Sequence, residues 1–552
     1  MKNITYLFLI ATTVMFTSCD LDRSPYTEIS ADDLFNDAGA AQTATLGNYL
    51  FLKGDKGYDG WIDDLHRMSE YSGDNVMISG GTTDDLYFFY NYQRNPNNSR
   101  ANRFWSNSYK AVVGANSVIE SLTEGNSPEE DQVIGENYYI RALVYFQMGN
   151  IFGRPYNQGT SNLSVPLKLT SDINEIPDRN TVGEVYDQVI SDLLKAEELM
   201  NENKGASFAS KEAAQALLSR VFLYMEDNEK AIMYADKVID EGPYSLLSPD
   251  RFAVMNTLPP ADNEEAIFSV TLTKDIDIPG TEDWYTIGSF YATIDGVGWG
   301  EMYASQTYLE LLNQNENDLR GSFIDPQYLT DENGDKIPAI YWVEDNTTYQ
   351  FRRTTDNGTS ITFEDDGNTY TLLSEEGVNG RTQYYFNGPN GRQDVVYDYD
   401  MDKRNGYPKF FILKASQQEN DLHLWSPTVS RLAEIYLNRA EAYAKQQADQ
   451  LALDDINVLR ARAKAPEYTL TNLPEGKTVL DLVLEERRLE LAFEGHRKFD
   501  VYRNGLTMDR RYPGTHLNNS NPYPEIMATD NVIIELIPEQ QILLQPSLKQ
   551  NP

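Results

Sequence analysis

The sequence predicts a mainly α fold, in which tetratricopeptide-like helix pairs carry a layer of loops and β-hairpins, and three observations predict it. The first is a repeat. Tyr138-x-x-Arg141-Ala142-x-x-Tyr145, Leu217-x-x-Arg220-Val221-x-x-Tyr224 and Tyr436-x-x-Arg439-Ala440-x-x-Tyr443 share one pattern, whose positions fall on a single helix face. The second is a partner helix just after each of the latter two motifs. Ala231, Tyr234, Ala235, Val238 and Ile239 in one case, and Leu453, Ile456, Leu459 and Arg460 in the other, mark a second amphipathic helix, so each motif opens a helix pair. The third is a change of texture between residues 325 and 402, where "AIYWVEDNTTYQF", "TSITFEDDGNTYTLL" and "RTQYYFNGPNGRQDVVYDYD" alternate β-branched and aromatic runs with Asn-Gly and Asp-Gly turns, the signature of hairpins.

Taken in chain order, Ile4 to Phe16 is a hydrophobic stretch after Lys2 and before Thr17-Ser18-Cys19. It is too short for a permanent membrane helix and reads as a signal peptide over residues 1–18. Cys19, the single cysteine in the sequence, stands where lipidation would follow cleavage; the alternative is an incidental cysteine near an ordinary cleavage site. Ser127-Pro128-Glu129-Glu130 places Ser at an N-cap, Pro at N1 and Glu at N3, and Thr181-x-x-Glu184 is a capping box. The helical pattern resumes near Thr428 after the hairpins, and no Pro/Gly/Ser linker divides the chain. Residues 19–552 are therefore expected to form one domain, with the hairpins as an insertion at about 325–402.

Near the C-terminus, Leu482, Leu489, Ala492 and Phe493 form one helical stripe while Leu484 and Leu491 emerge opposite, so this helix is buried on more than one face. Arg487, Glu490 and Glu494 share a flank at helical spacing and are expected to form an ion-pair ladder. Gly495 is expected to end the helix as C′, with His496 and Arg497 placing positive charge at its C-terminus. A paired structural cluster explains these charges better than catalysis does.

Composition narrows the function. With 46 basic and 85 acidic residues, a net charge of −39 disfavours nucleic acid as a partner. The histidines are His66, His423, His496 and His516; no zinc-protease spacing, nucleophile elbow or phosphate loop occurs, and neither a metal ion nor a cofactor is expected. Asp398-x-Asp400-x-Asp402 resembles the start of a calcium loop, but Lys403 and Lys409 occupy the positions that need Gly and Glu. A solvated acidic loop is the better reading. A glycosidase needs only two carboxylates, so the acid-rich composition leaves that alternative open.

Sugar binding calls for flat aromatic faces beside amides and carboxylates. "TDDLYFFYNYQRNPNN", with Tyr87, Tyr90, Asn91 and Tyr92, and "EDWYTIGSFYATIDGVGWGEMY", with Trp284, Tyr285, Tyr291, Trp299 and Tyr303, supply that mixture. The expected site is a platform of Trp284, Tyr285 and Trp299 with Tyr87, Tyr90 and Asn91 opposite. For each aromatic the competing explanation is packing within the loops.

The stretch "EERRLELAFEGHRKFDVYRNG" resembles the C-terminal signature of the SusD/RagB family of outer-membrane glycan-binding lipoproteins. The similarity extends through "DDLFNDAGAAQTATLGNYLFL", "SGDNV", Trp105 with Tyr109 and Asn116, "RALVYFQMGNIFGRPY", "EEAIFSV" and "IPEQQILLQPSLKQNP"; it fits least over Ile324 to Asp402. It implies a SusD-like fold in which the Glu-Arg-Arg and Gly-His-Arg segment is structural. It also implies a lipid on Cys19, a position at the cell surface in polysaccharide utilisation, and a SusC-like TonB-dependent transporter as partner. Ligand would be an oligosaccharide or polysaccharide held by loop aromatics in roughly the two regions above. A surface glycoside hydrolase, or an importer subunit for a non-sugar nutrient such as peptide, is the alternative.

Overall fold

The computed structural model describes residues 38–54, 59–278, 282–377 and 381–552. The expected signal peptide (1–18) and Cys19 lie outside the described residues. A helical scaffold begins with α1 (Ala38–Lys53), α2 (Trp61–Ser69), α3 (Ser99–Ser121), α4 (Pro128–Phe152), α5 (Val182–Leu199), α6 (Lys211–Tyr224) and α7 (Asn228–Asp236). After a loop and sheet region containing α8 (Gln306–Leu312), it resumes with α9 (Leu432–Lys445), α10 (Asp449–Arg462), α11 (Val479–Glu490) and α12 (Arg497–Arg503).

The three repeated motifs sit on α4, α6 and α9, and each arginine clamps a neighbouring helix through a two-point pair with a carboxylate. Arg141 reaches Asp192 of α5 at 2.7 and 2.8 Å, Arg220 reaches Glu434 of α9 at 2.5 and 2.6 Å, and Arg439 reaches Asp455 of α10 at 2.7 and 2.9 Å. Such forks fix helix register as well as charge. Apolar residues between them, including Ile140, Leu143, Val189, Leu193, Leu217 and Val221, are buried in one continuous core. The second helices also form as expected: α7 follows α6, its end continuing as a π-helical turn over Lys237–Glu241, and α10 follows α9. Both expected caps are present: Glu130 N–H donates to Ser127 Oγ at 3.2 Å, and Thr181 and Glu184 form the reciprocal box.

β1 (Val76–Ile78) pairs antiparallel with β2 (Met302–Ala304). The 325–402 region is an antiparallel sheet of β3 (Pro338–Glu344), β4 (Thr348–Asp356), β5 (Ile361–Asp365), β6 (Asn368–Thr371), β7 (Leu373–Glu376), β8 (Thr382–Gly388) and β9 (Gly391–Tyr399), ordered β6-β5-β4-β3-β9-β8-β7. Strand alternation divides its side chains. Ile340, Phe363, Phe386 and Val395 make a small core of their own, whereas Tyr341 and Tyr349 join a second core of the body with Tyr303, Tyr308 and Phe410.

The C-terminal charge cluster is structural, but its wiring differs from the expected ladder. α11 ends at Glu490 with Leu491 as C-cap, so Gly495 is not its C′ residue and Glu494 leaves the shared flank. The chain instead wraps the buried Glu70 carboxylate, which accepts from Phe493 N at 3.1 Å and Gly495 N at 2.8 Å. Arg487 pairs with Asp500 at 3.2 Å and donates to Asn438 Oδ1 at 2.9 Å. Glu490 takes Arg431 at 2.7 Å and Arg462 at 2.5 Å, and Glu494 takes Arg431 at 2.8 Å and Lys414 at 2.6 Å. Burial would raise both glutamates, and these cations overcome it, holding both well below the usual carboxylate range. His496 and Arg497 do not complement the end of α11: they open α12, where burial lowers His496 to about 4 and Arg497 pairs with Asp74 at 2.6 and 2.9 Å. In the acidic stretch, Lys403 and Lys409 are themselves the partners of Asp400 at 2.8 Å and Asp402 at 2.6 Å.

Candidate ligand-binding surface

The β1–β2 pair joins the two aromatic stretches that the sequence separates by nearly 200 positions. Val76, Met77 and Ile78 face Ala304, Tyr303 and Met302, and Ser79 N–H continues the pairing by donating to Glu301 O at 2.9 Å. The loop 79–84 therefore runs beside Trp299–Glu301. A third element closes on them: Asn405, in the left-handed region of an Asn-Gly hairpin turn, donates Nδ2 to Ser79 O at 3.0 Å, while Arg404 Nη1 donates to Trp299 O at 3.0 Å.

Trp284 and Trp299 meet edge to face, with ring centroids 5.4 Å apart and planes at 74°. Trp299 is 47% exposed and Tyr285 51%, while Trp284 is half-buried. Both tryptophans hang on Ser289, in the short helix Ile287–Tyr291: its Oγ donates to Trp284 O at 2.6 Å, and its carbonyl accepts from Trp299 N at 2.7 Å. The loop 294–300 is tight. Gly298 has φ +99°, and a Cβ there would come within 2.3 Å of Ala292 O and 2.6 Å of His423 Nε2, so only glycine lets the chain turn Trp299 outward.

Charge backs this surface from beneath. Arg67, buried on α2, donates Nη2 to Tyr285 O at 3.2 Å and sets its guanidinium 5.6 Å from the Phe290 ring. Asp63, beside it on α2, is raised to about 7 by burial, with Arg67 opposing. Asp283, adjacent to Trp284, is raised by burial and by Asp421, and its Oδ1 has no hydrogen-bond partner among the described residues. Burial likewise raises Glu301, against Arg404. The exposed Tyr285 and Trp299 rings, flanked by Arg404 and Asn405, can stack on the apolar face of a flat ligand and hydrogen-bond its edge.

In the other half of the expected site, two of the three residues are buried. Tyr90 is fully buried; its Oη donates to His516 Nδ1 at 2.7 Å, and the ring packs against the Arg510 guanidinium at 4.7 Å. Asn91 is buried too, donating to Tyr87 O at 2.8 Å. Both lie at the end of the short helix Leu86–Tyr90, whose inner face is turned into the body. Tyr87 remains half-exposed, with its Oη donating to Asn519 at 2.6 Å. Tyr92, Tyr291 and Tyr303 are buried as well. Trp284, Tyr285 and Trp299 are thus brought together, whereas Tyr90 and Asn91 serve packing. Ser289, Arg67, Arg404 and Asn405 act at this surface without having been singled out by pattern; only the Asn405-Gly406 turn carried a legible signal.

None of the four histidines faces this surface. His66 meets Tyr291 Oη at 2.9 Å, His423 lies between Ser416 and Val297, His516 between Tyr90 and Arg510, and His496 is buried at the start of α12.

Comparison with known proteins bears on the whole chain. A family model described as "SusD family" matches residues 264–552, and one described as "Starch-binding associating with outer membrane" matches residues 32–223. The chain is 23% identical to SusD-like protein P2 of Formosa agariphila, over 100% of this chain and 99% of that one. It is 24% identical to the starch-binding protein SusD of Bacteroides thetaiotaomicron, over 71% of this chain and 67% of that one. Among solved structures, a SusD superfamily protein from Bacteroides thetaiotaomicron superposes with a TM-score of 0.71 at 24% identity, covering 93% of this chain and 99% of that one.

Proposed function

The chain belongs to the SusD family, and from that premise we propose that it captures oligosaccharide or polysaccharide at the cell surface and delivers it to a SusC-like TonB-dependent transporter in the outer membrane, without bond-breaking chemistry. The observation that carries the reading is the exposed Trp299 and Tyr285, with the half-buried Trp284 edge to face against Trp299. Projecting rings rimmed by a guanidinium and an amide suit the alternating apolar faces and hydroxyl edges of a sugar chain. The names of relatives, a starch-binding protein among them, support the same class of ligand. Burial of every histidine supports binding over catalysis, because no imidazole stands at the platform to move a proton. A lipid on Cys19 would hold the protein at the outer membrane, where the family's description also places an association.

The test is a glycan array with purified protein, followed by titration of each retained glycan and an assay for new reducing ends. Retention of neutral glycans with no reducing ends above buffer is the expected result. Turnover abolished by one carboxylate substitution would make the protein a hydrolase, and retention of peptides alone would make it an importer subunit for a different nutrient.

A further inference from the structure

The inserted sheet contains a discontinuity that opens a second cleft. β9 pairs with β8 from Gly391 to Val395 and with β3 from Val396 to Tyr399. Its partner changes between adjacent residues. Past the Tyr341–Val396 pair, the end of β3 bonds only to β4, so β3 and the β8–β9 hairpin splay apart. α8 and Asn313 close the third side. The resulting cleft has a volume of about 440 Å³, within the range of small-molecule sites.

Its lining has the chemistry of a sugar site. Trp342, Tyr384 and Tyr397 are half-exposed rings on it; Tyr384 and Tyr397 lie 5.3 Å apart at 57°, and Arg352 covers one side of Trp342 at 5.3 Å. Amides stand between the rings. Gln383 Nε2 donates to Tyr384 O at 3.2 Å and Gln393 Nε2 to Asp394 O at 2.9 Å, which leaves each Oε1, among the described residues, to accept from a ligand hydroxyl. Asn313 is fixed in place by Arg381, which donates to its carbonyl. Tyr349 also lines the cleft, and its Oη is buried with no hydrogen-bond partner among the described residues. The charged groups lining the cleft are Glu310, Glu316 and Asp394 against Arg381, an acidic balance that disfavours anions.

We infer that this cleft between α8 and the inserted sheet is a second binding site for a short neutral oligosaccharide, separate from the Trp284–Trp299 platform. The ligand class rests on the reading that the platform binds glycan; the existence of the cleft does not. Rings and amides on one strand discontinuity would hold a chain end or short fragment, while the open platform suits a passing polymer.

The test is calorimetric titration and saturation-transfer NMR with short neutral oligosaccharides of whichever glycans the array retains. Four proteins are compared: wild type, Trp284→Ala/Trp299→Ala, Tyr384→Ala, and the three substitutions together, with Gln383→Ala/Gln393→Ala as a second cleft variant should Tyr384→Ala melt early. Wild type should show two sites, each variant one, and the platform and cleft substitutions combined none, with at least a tenfold loss at the altered site. Two sites surviving in a folded cleft variant, or none surviving in the platform variant, would overturn the cleft while leaving the platform standing. Binding lost only in the cleft variants would keep the cleft and overturn the platform. A wild type that retains no glycan overturns both.

Discussion

Trp284 and Trp299 meet edge to face, 5.4 Å apart, and both are tied to Ser289, whose hydroxyl binds the carbonyl of one and whose carbonyl accepts from the amide of the other. Position is thus set by backbone, and the rings are free to serve a ligand. Each ring should contribute about 0.5–1.5 kcal/mol to stacking, so Trp284→Ala/Trp299→Ala should weaken glycan binding about tenfold or more. The melting temperature should move little, because Trp299 is 47% exposed and Trp284 only half-buried. Titration beside a melting curve checks this; unchanged affinity in the folded double variant would remove both from the site.

Tyr90 should behave in the opposite way. The Arg510 carbonyl can only accept, so His516 Nε2 carries the proton and Nδ1 accepts from Tyr90 Oη at 2.7 Å. Tyr90→Phe strands that nitrogen in the interior, a loss of about 1–3 kcal/mol. Glycan affinity should stay within about twofold. A drop in affinity without a drop in stability would return Tyr90 to the ligand.

Among the buried charges, Arg431 is the hub, reaching Glu490, Glu494 and Glu265. Arg431→Leu should cost about 3–5 kcal/mol, because it leaves carboxylates buried and underpaired. Arg487→Leu should cost less, about 2 kcal/mol, since Arg503 still pairs with Glu441 and Asp500, each at 2.6 Å. Chemical denaturation of the two variants ranks them, and an equal or reversed order would show that the network is not centred on Arg431.

Acid should destabilise the protein in stages. Burial lowers His66 to about 3 and His496 to about 4 from an ordinary 6.5. Between pH 6.5 and 4 the unfolded chain therefore binds protons that the folded chain does not, and stability falls as pH falls. Below the ordinary carboxylate range, Glu490 and Glu494 add to the loss, since both stay ionised in the fold well below it. Asp63 acts the other way: raised from 3.8 to about 7 by burial, it is protonated in the fold from pH 7 downward and offsets one histidine. Asp63→Asn should thus be more stable than wild type at pH 8 and lose stability more steeply between pH 7 and 5. Parallel melting profiles for the two proteins would show that Asp63 is ionised in the fold.

If a lipid on Cys19 anchors the chain, Cys19→Ala should move it from the membrane to the soluble fraction, and metabolic labelling with a palmitate analogue should mark wild type alone. An unlabelled wild type would end that reading.

Local chemistry alone determined much of this protein. Helix-face spacing found Arg141, Arg220 and Arg439, because periodicity is a property of a few adjacent residues. Ser127 and Thr181 were legible as caps for the same reason, and the Asn-Gly and Asp-Gly turns announced the inserted sheet. Trp284, Tyr285 and Trp299 could be named from aromatic density in a glycine-rich loop. Tertiary structure alone decided which aromatics face solvent: Tyr87 and Tyr90 are three residues apart, yet packing on His516 and Arg510 buries one ring and leaves the other half-exposed. It also decided the partners of Arg487, Glu490 and Glu494. Helical spacing joins charges along one helix, but α11 stops at Glu490, and the cations that neutralise Glu490 and Glu494 are Arg431, Arg462 and Lys414. A buried charge is paired by whatever counter-charge the fold carries to it, and that distance is measured through space, where sequence separation has no bearing.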